Sequence, residues 1–373
     1  MGRPGNVAGE SGVVMAKLGG FLDLQVNGYA GVDFHSDELS GEELHQVCSA
    51  MAGDGVTAFL ATITTEHVPV MEHRLRRLVE LRNQDPLARQ MIPALHIEGP
   101  YISPIDGYRG AHPRDAVRPA DVESMRRLLD AAGGLARIVT LAPENDSKME
   151  TTRFLTGQGI RVSAGHTDAS LDELKAAIDA GLSMFTHLGN GCPMQMHRHD
   201  NIVQRALSLS DRIHPMFIAD GAHVAFPALG NYLRMAGIDR CIVVTDAVAP
   251  AGRGPGRFRL GRWDLVVGED LVARAPDGSH LVGSAVAMPR AVQNLVEHVG
   301  LTPAEAERLT VHNPRMVMGY ECTCSACRDR GAGQERLGHS REDAGKVEVS
   351  VPGRSRNGQP AGAVPGSSSE VGV

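Results

Sequence analysis

The feature that most constrains the fold is an alternation that repeats eight times. Short apolar runs at 20–27 (GFLDLQVN), 56–62 (VTAFLAT), 91–98 (MIPALHIE), 136–142 (ARIVTLA), 160–166 (IRVSAGH), 184–189 (MFTHLG), 214–220 (HPMFIAD) and 241–246 (CIVVTD) read as strands. Amphipathic segments such as 41–53, 67–83, 121–133, 170–181 and 227–237 lie between them and read as helices. Strands that alternate with helices pair in parallel, because each helix carries the chain back along the sheet. Eight such units over about 250 residues match the count and length of a closed (β/α)8 barrel of the TIM type. An open, doubly wound sheet is the competing arrangement.

The segments outside this alternation differ in character. Residues 253–282, including GRFRLGRWDLVVGEDLVARAPDGSHLV, carry alternating runs and a Pro-Asp-Gly turn signal, so a small β insertion is expected after strand eight. Helices near 286–299 and 302–318 follow. From about 321 the chain turns rich in Gly, Ser, Arg and Glu and loses apolar periodicity. The expected organisation is a loose N-terminus over 1–17, a barrel over 18–320 and a disordered tail over 321–373. Cys322, Cys324 and Cys327 fall in that tail. Three thiols fall short of the four ligands of a structural zinc site, so a tail without metal is expected.

Composition narrows the function. The 373 residues are 42% hydrophobic and 22% charged, as in a globular protein with a sizeable core. A net charge of −7 argues against general nucleic-acid binding, and 4% aromatics with one Trp gives little surface for stacking bases. No run approaches 18 apolar residues, and the first residues lack the apolar stretch of a signal peptide, so a cytoplasmic protein without a membrane segment is expected.

The strand ends carry the chemistry. Strand three ends in HIEGPY with His96 and Glu98, strand five in AGHTDAS with His166, and strand six in THLGNG with His187. Strand seven gives IADGAH with Asp220 and His223, and strand eight gives VTDAVAPAG with Asp246. In a parallel barrel the C-terminal ends of all strands face one mouth. Imidazoles and carboxylates from five strands therefore converge there. Glu98, His166 and His187 form a ligand trio that leaves positions open, as in catalytic zinc sites. Asp246 can then move a proton between an attacking water and a leaving amine. Strand one, GFLDLQVNG, places Gln25 and Asn27 where related metal hydrolases carry two histidines, and neutral amides are poor ligands for a transition metal. One divalent ion per chain is expected, zinc first, with iron, manganese or cobalt as alternatives.

The fragments GFLDLQVNGYAGVDF, LHIEGPYISPIDGYRGAHP, AGHTDAS, THLGNGCPMQMHR, IADGAHV, VTDAVAPAG and LVGSAVAM occur in one order on successive strands. In that order they resemble the N-acetylglucosamine-6-phosphate deacetylases of the amidohydrolase superfamily, over about residues 20–319. The resemblance implies removal of acetyl from an amino sugar phosphate. It implies Glu98, His166 and His187 as the metal ligands and Asp246 as the catalytic acid–base. It implies that Gln-x-Asn members hold a single metal, with Gln25 and Asn27 as polar lining. Ala111 and His112 match a sugar-binding pair, Asn190 and Gly191 match contacts to the substrate, and Arg198 matches the residue that holds the phosphate. His223 matches a histidine that contacts the substrate, and Leu281, Val282 and Gly283 match a loop lining the pocket.

Two departures are visible. Family members usually carry a small accessory β-sandwich beside the barrel, and here it is expected to be missing. The loop GNGCPMQMHRHDN also differs from the usual Asn-Ala-Met-Pro form, which bears on pocket shape. The alternatives are an amidohydrolase for another amide or cyclic amide, and a silent binding protein. A small-molecule amino sugar phosphate is the expected partner, with a homodimer among the expected assemblies.

Overall fold

The computed structural model describes residues 20–321. The expected loose N-terminus, the three tail cysteines and the flanking segments that bear on an accessory sandwich lie outside that span. Eight parallel strands form one sheet in chain order: β1 (Phe21–Val26), β2 (Val56–Thr64), β3 (Ala94–Glu98), β4 (Ala136–Leu141), β5 (Arg161–Ala164), β6 (Met184–Phe185), β7 (His214–Ile218) and β8 (Ile242–Val244). The order runs without a reversal, which is the topology of a barrel and excludes a doubly wound sheet. All six residues of β1 and all five of β3 are buried, as expected where both faces of a parallel sheet are covered.

The seam between β1 and β8 is closed differently from the other seven. Among the described residues it carries no ladder, only the parallel bridge between Val26 and Ala247. Asn27 N–H donates to the Ala247 carbonyl at 2.7 Å, and Gly28 N–H reaches the same oxygen at 3.1 Å. A side chain supplies the rest, because the Asp23 carboxylate accepts from Thr245 N–H at 3.2 Å and from the Thr245 hydroxyl at 2.6 Å.

The outer helices follow the expected alternation: α1 (Gly41–Gly53), α2 (Val68–Gln84), α3 (Pro86–Met91), α4 (Val122–Ala131), α5 (Glu150–Gly157), α6 (Leu171–Asp179), α7 (Ile202–Leu207) and α8 (Phe226–Ala236). Reciprocal capping boxes start α1 (Ser40 with Glu43) and α6 (Ser170 with Glu173), each satisfying two otherwise orphaned N–H groups. Short α3, α5 and α7 were not legible as separate helices. The expected start of strand three at 91 is corrected: Met91 ends α3, whose N-cap Asp85 accepts from Leu87 N–H. Pro93 has no N–H to give a ladder, so β3 begins at Ala94. Strands five and six stop short of their expected ends because His166 and His187 adopt positive φ.

After β8 the chain forms a three-stranded antiparallel sheet of β9 (Gly256–Leu260), β10 (Trp263–Val267) and β11 (Ala273–Arg274). Its side chains make a small core of their own, with Val248, Leu265, Val267, Ala273 and Val282 buried together. The helices expected at 286–299 and 302–318 are each interrupted by a wide π-type turn, at Leu295–Val299 and Arg308–His312.

Candidate active site

Three strand ends turn their side chains into one mouth by the same backbone device. His166 (φ +50°), His187 (φ +31°) and Asp246 (φ +50°) are three of the seven non-glycine residues with positive φ among those described. That region costs a residue with a Cβ about 1 kcal/mol or more and persists only where the surroundings impose it, typically at functional sites. Each such residue lies two positions past the end of its strand, at the barrel mouth.

Glu98, His166 and His187 meet there, all buried. Among the described residues they are the one cluster of His, Cys, Asp or Glu whose ligand atoms lie mutually within 4.8 Å. His187 Nε2 is 2.9 Å and His166 Nε2 3.4 Å from Glu98 Oε1. Tyr108 carbonyl accepts from His166 Nδ1 at 2.9 Å, so Nδ1 carries the hydrogen and Nε2 presents its lone pair. Burial alone would raise the Glu98 carboxyl, but the imidazoles of His166 and His187 beside it hold it well below the usual carboxylate range. Burial would lower His187, yet the Glu98 hydrogen bond and the charges of Glu98 and Asp246 raise it. Gly191 has φ +61°, and a Cβ there would sit 2.8 Å from His166 Nδ1, so the loop after His187 can close on the ring only as glycine.

The donor set suits a divalent metal. Two imidazoles and a carboxylate, with one imidazole oriented by a backbone carbonyl, are the components of a catalytic zinc-type site. Among the described residues, four of the ten buried side-chain atoms without a hydrogen-bond partner belong to this region: Gln25 Oε1, Asn27 Oδ1, His112 Nδ1 and His187 Nδ1. Buried polar atoms rarely stay orphaned, so their clustering points to a polar guest.

Strand β1 supports the cluster through amides. Gln25 Nε2 donates to Glu98 Oε2 at 3.0 Å, and Asn27 Nδ2 donates to Asp246 Oδ1 at 2.7 Å. Asn27 lines the mouth cavity. Burial raises the Asp246 carboxyl above its ordinary value, with the His187 charge opposing and the Glu98 charge adding. The expected site residues mostly converge. Ala111, His112, Asn190, His223, Leu281 and Gly283 line the same cavity as Glu98, His166, His187 and Asp246. Val282 is buried in the small core beneath that wall, and Gly191 is buried against His166. His112 Nε2 lies 3.1 Å from His166 Nε2, and burial, with His166 beside it, keeps His112 well below the usual imidazole range. His112 is therefore neutral and packs edge-on against the His166 ring. His223 Nδ1 is fixed by Asp220 at 2.6 Å, leaving Nε2 for a ligand. Arg198 is exposed and lies outside the residues lining the cavity.

No family model matches the chain. Curated relatives do. N-acetylglucosamine-6-phosphate deacetylase of Bos taurus is 34% identical over 311 residues, covering 81% of this chain and 74% of that protein. The Bacillus subtilis enzyme of the same name is 32% identical over 305 residues, covering 81% and 75%. N-acetylgalactosamine-6-phosphate deacetylase of Escherichia coli O157:H7 is 31% identical over 301 residues, covering 81% and 78%. The chain belongs to the N-acetylglucosamine-6-phosphate deacetylase family.

Solved structures of this family agree in fold. The deacetylase from Mycobacterium smegmatis aligns with a TM-score of 0.74 at 29% identity, covering 82% of this chain and 79% of that one. The Pasteurella multocida deacetylase gives 0.72 at 29%, covering 82% and 80%. Several cavity residues of this family member escaped the sequence reading. His35 accepts from Thr64 N–H through Nε2 at 2.9 Å and is held by Asp33 at 2.9 Å. Arg74 and Arg262 also line the cavity, paired with Asp37 (2.9 Å) and Glu66 (2.7 Å) respectively. They come from a helix and a hairpin turn, where a strand-end pattern gives no signal. His96, read with the strand-end group, is a core residue: Leu24 carbonyl and the Thr140 hydroxyl occupy its two nitrogens at 3.1 and 2.7 Å.

Proposed function

We propose that this chain hydrolyses the acetamide of N-acetylglucosamine 6-phosphate to acetate and glucosamine 6-phosphate. The observation that carries the reading is the metal-ligand cluster Glu98–His166–His187 with the Asp246 carboxylate on the same cavity wall. Glu98, His166 and His187 would hold one divalent ion, zinc by the chemistry of the donor set. When bound, such an ion polarises a carbonyl and makes water acidic near neutral pH.

The remaining work falls to the chain's own groups. Asn27 occupies Asp246 Oδ1, and no described residue hydrogen-bonds Oδ2. Oδ2 is the atom that takes a proton from the attacking water. The water oxygen bonds to the acetyl carbon, the C–N bond breaks, and Asp246 returns the proton to the departing nitrogen. His223, its Nδ1 tied to Asp220, directs Nε2 at the substrate. Ala111, His112, Asn190, Gly191, Leu281, Val282 and Gly283 shape the sugar pocket, and no residue in this scheme comes from an accessory sandwich.

For the phosphate we assign Arg198. Arg74 and Arg262 already face carboxylates, so an anion beside them would meet Asp37, Glu66 or Asp115 as well. Arg198 has no hydrogen bond or ion pair among the described residues, and its fork can take phosphate oxygens in pairs. The reading includes a cytoplasmic enzyme acting on a small molecule rather than nucleic acid, with a homodimer as its assembly. No helix among the described residues is long and apolar enough to cross a membrane.

The test is acetate release by metal-loaded protein from N-acetylglucosamine 6-phosphate. The unphosphorylated sugar and N-acetylgalactosamine 6-phosphate run beside it. The reading requires a marked preference for phosphorylated substrate. Equal turnover without phosphate would favour hydrolysis of another amide, and a preference for the galacto epimer would move the assignment to the Escherichia coli relative's substrate.

A further inference from the structure

The seam between β1 and β8 carries a function that its role in closing the barrel does not explain. Asp23 is fully buried and accepts three hydrogen bonds: Thr245 N–H at 3.2 Å, Thr245 hydroxyl at 2.6 Å and Gln25 N–H at 3.3 Å. The Thr245 hydroxyl accepts in turn from Ala247 N–H at 3.1 Å. The directions are consistent, because a hydroxyl can donate once and still accept. One hydroxyl thus spans the residue between 245 and 247, and that residue is Asp246. Asp246 sits at φ +50°, a conformation that does not persist without outside support. Four residues after Asp23, just past the end of β1, Asn27 grips the Asp246 carboxylate at 2.7 Å.

We infer that Asp23 and Thr245 are positioning residues for the reaction: Asp23 clamps Thr245 across the seam, and the Thr245 hydroxyl locks Asp246 in the left-handed conformation that aims its carboxylate into the mouth. Neither touches substrate. Both act on where the proton acceptor stands, and Asn27 sets which oxygen stays free. The strands that lead into His166 and His187 are paired by ladders on both sides, whereas at this seam side-chain hydrogen bonds take over the pairing beside residue 246. A buried carboxylate does the pairing of a missing ladder while leaving the strand end free to bend. The inference rests on Asp246 as the proton-transfer group, and its test separates the two.

Thr245→Val keeps the branched shape and removes the hydroxyl, while Thr245→Ser keeps the hydroxyl. Crystal structures of both variants give the first readout, independent of any substrate. In Thr245→Val, Asp246 is expected to leave positive φ and to lose the Asn27 contact. In Thr245→Ser both are expected to remain. Kinetics give the second. Misplacing the proton acceptor should lower kcat in Thr245→Val by about 100-fold. KM should stay within about twofold of wild type, since uniform binding is untouched. Metal content should be unchanged, and Thr245→Ser should recover the rate. An unmoved Asp246 in Thr245→Val overturns the inference whatever the substrate proves to be. So does metal loss in step with activity, which would make the seam a general support. If Asp246 moves as stated but wild-type protein releases no acetate, the deacetylase reading fails and the positioning role stands.

Discussion

Replacing Asp246 by Asn separates proton transfer from architecture. The residue is 6% exposed, and Oδ1 accepts from Asn27 at 2.7 Å. An amide oxygen can accept the same bond, and Asn is among the residues that tolerate positive φ. The local fold should therefore survive. Burial raises the Asp246 carboxyl, so the charge is held at a cost that His187 and His223 offset only in part. A neutral amide removes that cost, and Tm should stay level or rise, at about 2–4 °C for each kcal/mol gained. Chemistry should suffer in the opposite direction. An amide cannot take a proton, and losing a positioned acid–base costs about 100- to 10,000-fold in rate. That is about 2.7–5.5 kcal/mol of barrier. The assay is acetate release with metal content and thermal melting measured on the same preparation. A variant that is folded and metal-loaded yet within about tenfold of wild type would remove Asp246 from the mechanism.

Other outcomes follow from the same geometry. Arg198→Ala should lower kcat/KM for the phosphorylated sugar by about 10- to 150-fold per charge-assisted bond lost and leave the unphosphorylated sugar nearly unchanged; equal losses on both would show that Arg198 holds its loop instead. Elemental analysis of active protein should find one metal per chain, because Gln25 and Asn27 donate to Glu98 and Asp246 rather than offering imidazoles, and Glu98→Gln should lose that metal. Acid should destabilise the fold through His96, which burial lowers to about 4. Its unfolded form takes up a proton near pH 6.5 and its folded form only near pH 4. The stability is therefore present above 6.5 and lost as pH falls toward 4, by about 3 kcal/mol in all. His96→Gln should flatten that part of the urea-midpoint profile, and an unchanged slope would place the effect elsewhere.

The barrel was legible because its signal is periodic and repeated. Eight apolar runs set the strand count, and α1 at 41–53 coincides with its expected range, because Ser40 and Glu43 cap it and its apolar face repeats. Short α3, α5 and α7 lack enough turns to show a period, so they merged with neighbouring loops. The candidate site was legible in part, since strand ends of a parallel barrel must converge and Glu98, His166, His187 and Asp246 lie at or just past strand ends and line one cavity. What the pattern could not supply is which end residues face the mouth. His96 lies two residues before Glu98 and is a core residue, while His35, Arg74 and Arg262 reach the cavity from outside the strand ends. Their placement depends on loop paths that no local periodicity encodes.

The replacement of imidazoles by amides on β1 changes what that strand does. An imidazole pair would compete for the metal, whereas an amide N–H can only donate to an acceptor. Gln25 gives its donor to Glu98 and Asn27 gives its donor to Asp246, so each amide favours the ionised form of one site carboxylate. The two amide oxygens are left buried and unpartnered. An orphaned acceptor in a closed site costs about 1–3 kcal/mol, and that cost is relieved when a donor arrives. Water, a sugar hydroxyl or the amide N–H of an N-acetyl group are all donors. The two amides thus fix the two carboxylates with their N–H groups and hold open two acceptors, an arrangement suited to a hydrogen-bonding substrate.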